Sequence, residues 1–426
     1  MKTELIEQLK REIKPALGCT EPVAVAYAAS IAKNLLGEKV KAVDVTVNSN
    51  LYKNGMGVFV PGTQKTGLFY SVALGVLFGD ESKVLEVLEG MPRGAENKAE
   101  RFLKEADVRI EYLPGKTEVY VEVVAKGEKH SSRVLIVKSH GNVVLRERNG
   151  IIIDDRREDP GKEAGSKEEI SELNIKELIR VIQRMTVKDL EFLNPAIEAN
   201  MKIAKHGVKN KRGVGVGYTL EKLMEKKIMK RDWINKSKAL TAGASDARMS
   251  GEVFPVYSCG GSGNQGLAAS IPVIVMAEAL NFGEEDLLQG LALSFLVTLY
   301  VKQRIGRLSA LCGCGVAAGV GSAVAIGNFM GMKPEVIEGG INNIVGNLTG
   351  MVCDGAKPGC ALKLSTSVGT VMEMMFLAKE GALIQPGEGI VGRKIEDTLN
   401  HLETLSYQGM EGADDTILKI MISQQS

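Results

Sequence analysis

Apolar residues recur at two different spacings along this chain, and the change from one to the other divides it. From Asp107 to Arg148, apolar and polar positions alternate in four short runs, VRIEYL, EVYVEVVA, SRVLIVKS and NVVLRER, separated by turn residues that include Pro114-Gly115 and Gly141-Asn142. A period of two turns one side of each run toward a core, so this stretch predicts a small antiparallel sheet. Val40–Asn48 alternates in the same way, and Gly57–Val60 reads as a further short strand. Elsewhere the spacing is helical. Residues 1–37 predict two helices broken around Pro15 and the turn Gly18-Cys19-Thr20-Glu21-Pro22, with Thr20 as N-cap and Pro22 in the first turn. Thr66–Phe78 predicts a helix of small residues. Beyond Ile170 the spacing predicts helices over 171–184, 188–206, 218–250, 264–281, 284–302, 308–329, 333–348, 361–380 and 393–404. Asp154–Glu169 has almost no apolar residues and reads as an exposed linker.

The expected fold is therefore α+β, a large and mainly helical catalytic domain with a small inserted α/β subdomain containing an antiparallel sheet. In residue terms, 1–80 supply N-terminal helices and short strands to the catalytic domain, 81–150 form the subdomain, 151–170 a polar linker, and 171–426 the rest of the helical domain.

Composition sharpens this picture in two ways. Aromatic residues make up 5% of the chain while glycines number 48, so the core must be built from Ala, Val, Leu, Ile and Met on closely packed helices. The formal charge is +1, which argues against nucleic acid or an anionic membrane as partner. The run Lys226, Lys227, Lys230, Arg231 reads as a solvated helix face. The N-terminal stretch alternates charged and apolar residues and resembles no targeting peptide, so a cytoplasmic protein is expected. Leu308–Met332 runs 25 residues without a charge, yet six glycines and few large apolar side chains mark it as a buried soluble helix and not a membrane span.

The candidate chemistry lies in the cysteines. Four of the six fall in Cys312-Gly313-Cys314 and Cys353-Asp354-Gly355-Ala356-Lys357-Pro358-Gly359-Cys360, the least charged part of the chain. Thiolates are soft ligands suited to iron–sulfur clusters or zinc. The paired C-x-x-C knuckles of structural zinc sites and the close cysteine run of ferredoxins are both absent. A C-x-C pair is too tight for both sulfurs to hold one cubane easily, so three ligands fit better than four. That count leaves one iron open to act as a Lewis acid. On spacing alone, a cluster, a zinc site and four buried thiols all stay open. The four histidines, His130, His140, His206 and His401, lie outside the glycine-rich and cysteine-rich stretches.

Two further features stand out. Ser258-Cys259-Gly260-Gly261-Ser262-Gly263-Asn264-Gln265-Gly266 leads into a helix and presents free backbone N–H groups to a carboxylate or phosphate, with Ser262 and Asn264 adding side-chain hydrogen bonds. The bland alternative is a flexible loop with an Asn cap. Cys19 begins a helix whose dipole would stabilise its thiolate for use as a base or nucleophile; a capping turn around a buried cysteine is the competing reading. Gly213-x-Gly215-x-Gly217 follows no convincing strand and reads as a hinge or turn. Nothing in the chain suggests a pyridoxal phosphate site.

The stretches ALGCTEPVAVAYAA, NSNLYKNGMGVFVPGT, SCGGSGNQGLAASIPV, RLSALCGCGVAAGVGSAVAIG and GNLTGMVCDGAKPGCALK resemble the L-cysteine desulfidase family, which is related to the iron–sulfur L-serine dehydratase α chains. The likeness runs from about residue 12 to about residue 405. It implies an oxygen-sensitive [4Fe-4S] cluster with one iron free of protein ligands, held by Cys312, Cys353 and Cys360, with Cys314 as the alternative to Cys312. It also implies Cys19 as catalytic base or acid, and a substrate site of Thr20, Glu21, Ser262, Gly263, Asn264 and Gln265. The Ser-His-Thr substrate motif of the serine enzymes is replaced by Cys19-Thr20-Glu21, and their histidine-bearing loop by Asn48–Gly62, which has no histidine. The implied reaction is α,β-elimination of L-cysteine to hydrogen sulfide, pyruvate and ammonia. L-serine dehydration on the same cluster is one alternative and a non-enzymatic iron or redox sensor another. The expected partner is a small amino-acid substrate, with self-association left open. Lys65 and Lys357 could face substrate or cluster charge, but exposed, solvated lysines are the expectation for both.

Overall fold

The computed structural model describes residues 1–114, 118–157, 170 and 173–424. The chain opens with helix α1 (Lys2–Glu12), a short strand β1 (Pro15–Leu17) and helix α2 (Thr20–Leu36). Strand β2 (Ala42–Asn48) follows, then helices α3 (Ser49–Met56), α4 (Leu68–Phe78) and α5 (Ala95–Glu105). Strands β3 (Asp107–Leu113), β4 (Tyr120–Lys126), β5 (Ser131–Val137), β6 (Val143–Arg148) and β7 (Ile151–Asp155) come next. The alternating runs are thus strands, as their period demands, and β2 joins them in one six-stranded sheet of order β3-β2-β4-β5-β6-β7. That sheet is mixed: β2 pairs parallel to β3 across a helical crossover, and every other pairing is antiparallel. Buried valines of β2, β4 and β5 pack with α2, α4 and α5 into one hydrophobic core. Gly57–Val60 forms no strand; Phe59 makes only an isolated bridge to Thr66. The expected linker begins with β7, and residues 158–169 of it lie outside the described residues, as does Gly115 of the Pro114-Gly115 turn.

The remaining helices build a second and larger core. They are α6 (Ile175–Ile182), α7 (Val187–Leu190), α8 (Asn194–Lys209), α9 (Val216–Glu225), α10 (Trp233–Met249), α11 (Gly263–Ala279), α12 (Glu284–Ile305), α13 (Ala317–Phe329), α14 (Pro334–Leu348), α15 (Cys360–Lys379), α16 (Ile395–Thr404) and α17 (Ala413–Ser423), with strand β8 (Pro255–Tyr257) ahead of α11. Helices α11, α12 and α13 are buried nearly all round by Ala, Gly, Val, Leu and Ile, which explains a core poor in aromatic residues. The helix expected over 308–329 starts only at Ala317. Its first nine residues are loop, pinned where Cys312 N–H donates to Met351 O (2.9 Å) and Cys353 N–H to Ala310 O (2.7 Å). Of the described helices, one, Cys360–Lys379, is long and apolar enough to cross a membrane, and half of its apolar window is buried inside the fold. At 13 residues, α13 is too short for that role.

The glycine-rich turn before α9 holds an anion from within the chain. Gly215 and Gly217 donate backbone N–H groups to the Asp246 carboxylate at 3.1 and 3.0 Å. Asp246 is fully buried, and burial outweighs these bonds, so its pKa is pushed up to about 6. A raised carboxyl pKa means that folding favours the protonated form: the contribution is complete below the ordinary value near 3.8 and is lost as pH rises through about 6. The stability gap between wild type and Asp246→Asn should therefore narrow between pH 4 and 7. Asp246→Ala, which orphans the N–H groups, should cost about 2–3 kcal/mol by chemical denaturation.

Candidate active site at the cysteine loops

Two chain crossings bring the site together. Strand β1 pairs antiparallel with β8, which fixes the N-terminal segment beside the loop leading into α11. After β1 the chain turns at Gly18, whose φ of +76° and contact with Pro61 (2.1 Å from where a Cβ would stand) exclude any side chain. Cys19 then caps α2 in the extended region, and Thr20 is the first helical residue and not the cap expected from the sequence. The Thr20 hydroxyl instead donates to Glu21 (3.0 Å).

Glu21 is the polar hub. Its carboxylate accepts from the Cys19 thiol (3.0 Å), from Thr20 and from Asn54 Nδ2 (2.9 Å). Burial disfavours the ionised form; a charged His140 would oppose that, and the hydrogen bonds from Cys19 and Asn54 do, so the carboxyl stays below its ordinary value. His140 is itself held below its ordinary value by burial despite Glu21, which makes it a neutral imidazole facing a carboxylate at neutral pH. The Cys19 thiol is pushed well up by burial and then by Glu21, against the pull of Arg248. Cys19 is therefore a protonated donor in this arrangement; the thiolate expected from the helix dipole is outweighed by burial and an adjacent carboxylate.

Cys19 forms a small hydrophobic cluster with Val58 and Met249, and Ala356 and Cys360 pack against it, which brings the first and last cysteines of the chain into one neighbourhood. The loops at 312 and 353 are zipped by the Leu311–Val352 bridge. Cys312 is pushed well up by the neighbouring Cys314, then by burial. Cys353 is raised by burial and by Cys312. Cys360 rises to about 11, through burial and then through Cys353 and Cys312. Each of Cys353 and Cys360 thus faces Cys312, while the Cys314 sulfur lies 3.6 Å from Ser262 Oγ. Cations surround the set: Lys53 Nζ donates to Cys353 O (2.8 Å) and to Asp414 (2.5 Å), Lys363 donates to Val352 O (2.7 Å), and buried Lys302 is lowered to about 8 by burial. Among the described residues no three His, Cys, Asp or Glu side chains converge closely enough for a single metal ion. Soft thiols on separate corners amid positive charge are a donor set that fits a multi-iron cluster, which takes its thiolates at different irons.

Lys53 also ties the C-terminus to the site. It is fully buried, and with Asn50 (2.7 Å to Asp414) it anchors α17 beneath the Cys353 loop. Lys53→Met should destabilise the protein by about 2–4 kcal/mol, because Asp414 loses its buried partner, and should open α17 to limited proteolysis.

The loop before α11 is a helix start with Ser262 as N-cap, its hydroxyl accepting from Gln265 N–H (3.4 Å). Gly263 and Asn264 begin the helix, where backbone N–H groups have no intrahelical acceptor. Gln265 turns inward to Cys259 O (3.0 Å) and holds the loop, and the buried Cys259 thiol contacts Phe295 O (3.8 Å). His140, on the β5–β6 turn, stands 3.1 Å from where a Cβ of Gly261 would be. A cleft of about 1250 Å³ runs from α1 past His140, Gly261 and Lys302. Lys65 is on the surface with Glu100, and Lys357 pairs with Asp354. The sequence reading missed His140, Arg248, Asn54, Lys53 and Lys302. Of these only His140 carried a signal, a histidine beside the Gly141-Asn142 turn.

Comparison with known proteins settles the family. The profile of the serine dehydratase alpha chain matches residues 83–419. The chain belongs to the serine dehydratase α-chain family. That family is associated with an iron–sulfur cluster and points to lyase chemistry. The match includes all four clustered cysteines, His140 and Arg248, but begins after Cys19, Glu21 and Lys53. Over nearly its whole length the chain is also similar to proteins named UPF0597. One from Alkaliphilus oremlandii is 42% identical over 99% of this chain and 98% of its own. One from Clostridioides difficile is 40% identical over 98% of both, and one from Caldanaerobacter subterraneus is 39% identical over 99% and 98%.

Proposed function

We propose that this family member is a cytoplasmic carbon–sulfur lyase that eliminates hydrogen sulfide from L-cysteine, leaving aminoacrylate, which yields pyruvate and ammonia. The observation that carries this reading is the Cys19 thiol, bonded to Glu21 and set in the small hydrophobic cluster against which Cys360 packs. When bound, a [4Fe-4S] cluster on Cys312, Cys353 and Cys360 supplies a thiophilic Lewis acid for the departing sulfur. Cys314, turned toward Ser262, is left off the ligand set. Cys19 relays the proton in one concerted step: its sulfur takes the α-proton of the substrate as its own proton passes to Glu21, so the free thiolate that burial disfavours never accumulates. Thr20 and Asn54 hold Glu21 in place for that transfer. Ser262, Gly263 and Asn264 present the α11 N-terminus to the substrate carboxylate, and Gln265 fixes the loop that carries them.

The family match favours a second reading, dehydration of L-serine by the same site. Anaerobically purified protein assayed side by side decides between them: sulfide and pyruvate from cysteine at a higher kcat/KM than pyruvate from serine is the expected result. Serine preference would overturn the cysteine reading, and a colourless protein active only with added pyridoxal phosphate would overturn both.

A further inference from the structure

We infer that Arg248 selects the substrate's carboxylate, so that the site binds α-amino acids and refuses the corresponding amines; the reaction that follows rests on the lyase reading, the binding does not. Arg248 lies in the last turn of α10 and is 3% exposed. Its guanidinium donates to two acceptors, Asn264 Oδ1 at 3.1 Å and Gly18 O at 2.6 Å, both neutral, and its Nε has no acceptor among the described residues. A buried guanidinium without a counter-charge is strongly disfavoured. Its neighbours in the site are matched: Lys53 has Asp414, Arg307 has Glu12 and Lys363 has Asp354. Asp246, one half-turn earlier on the same helix, is committed to Gly215 and Gly217. Among the described residues Arg248 thus lacks the anion that the fold supplies to Lys53, Arg307 and Lys363.

The place of that missing anion is defined by Gly263. A Cβ there would stand 2.5 Å from Arg248 Nε, so the guanidinium lies flat against the first residue of α11. The positive end of a 17-residue helix and a guanidinium fork meet, and no carboxylate of the described residues bonds to that fork. A planar carboxylate is the ligand chemistry that satisfies both. Because the same guanidinium holds Gly18 O, the carboxylate would sit beside Cys19, whose sulfur is the proton relay proposed for the adjacent α-carbon.

The test uses holoenzyme handled anaerobically and a ligand that cannot eliminate. L-alanine is titrated calorimetrically against wild type, Arg248→Lys and Arg248→Gln, with ethylamine as the carboxylate-free control. Wild type should bind L-alanine and not ethylamine; Arg248→Gln should lose about 100-fold in affinity with its iron content unchanged, and Arg248→Lys should recover part of it. Turnover should follow as a raised KM with kcat little altered. Equal L-alanine affinity in Arg248→Gln, ethylamine binding as well as L-alanine in wild type, or loss of iron in both variants would overturn the assignment. Should the Gln variant fail to fold, the alanine–ethylamine comparison in wild type still decides. L-alanine binding that depends on Arg248, in a protein that does not eliminate cysteine, would sink the desulfidase reading and leave this one standing.

Discussion

Cys353→Ala, purified without oxygen, is expected to be colourless, to carry background iron and to have no measurable lyase activity. The Cys353 thiol is close enough to the Cys312 and Cys360 thiols to interact electrostatically with both, and its loop is held from both sides, by Ala310 O and by Lys53. Removing the thiol subtracts one of the three proposed donors, while the alanine leaves those backbone bonds in place and the fold intact. Circular dichroism should match wild type, which separates ligand loss from unfolding. Cys314→Ala should retain iron, because its sulfur lies 3.6 Å from Ser262 Oγ and Cys312 is the ligand proposed from that loop. Iron loss in Cys314→Ala with retention in Cys312→Ala would exchange the two assignments. Iron retained in Cys353→Ala would remove the cluster proposal altogether.

How far the sequence could be read depended on whether a residue's role was local. The period-two runs announced their strands because alternation is a property of consecutive residues. The α+β class followed from the same pattern. Parallel pairing of β2 with β3 was not visible there, since it depends on the crossover through α3, α4 and α5. The helix drawn over 308–329 was too long for a related reason: its first residues are as apolar as a helix interior, yet β-bridging to Val352 takes their backbone groups. That loop is what displays Cys312 and Cys314.

The same distinction holds in the site. The helix start after Gly261 is local and was readable, but its cap is Ser262 and not the Asn that the sequence offered. Asn54, Lys53 and Arg248 reach partners on other elements, 16 or more residues away along the chain, and nothing in their own neighbourhoods marks them. The glycine-rich turn at 213–217 shows the opposite limit. Its backbone does hold an anion, but the anion is Asp246 of the same fold, and only the structure could say so.

Cys19→Ala should keep its iron and its fold and lose about 10²–10⁴-fold in kcat. The thiol is buried and small, so its removal leaves a modest cavity beside Val58, Met249 and Cys360. Glu21 keeps its bonds from Thr20 and Asn54, so no charge is orphaned and the stability cost should stay near 1 kcal/mol. What disappears is the proton-carrying atom between Glu21 and the substrate. The loss should therefore fall on kcat and leave the L-alanine affinity assigned to Arg248 unchanged. A solvent-exchange assay sharpens the reading: wild type should wash the α-proton of L-alanine into deuterated water, whereas Cys19→Ala should not. Normal turnover in Cys19→Ala would reduce this residue to the cap of α2, and the proton would have to leave by way of Glu21 or His140.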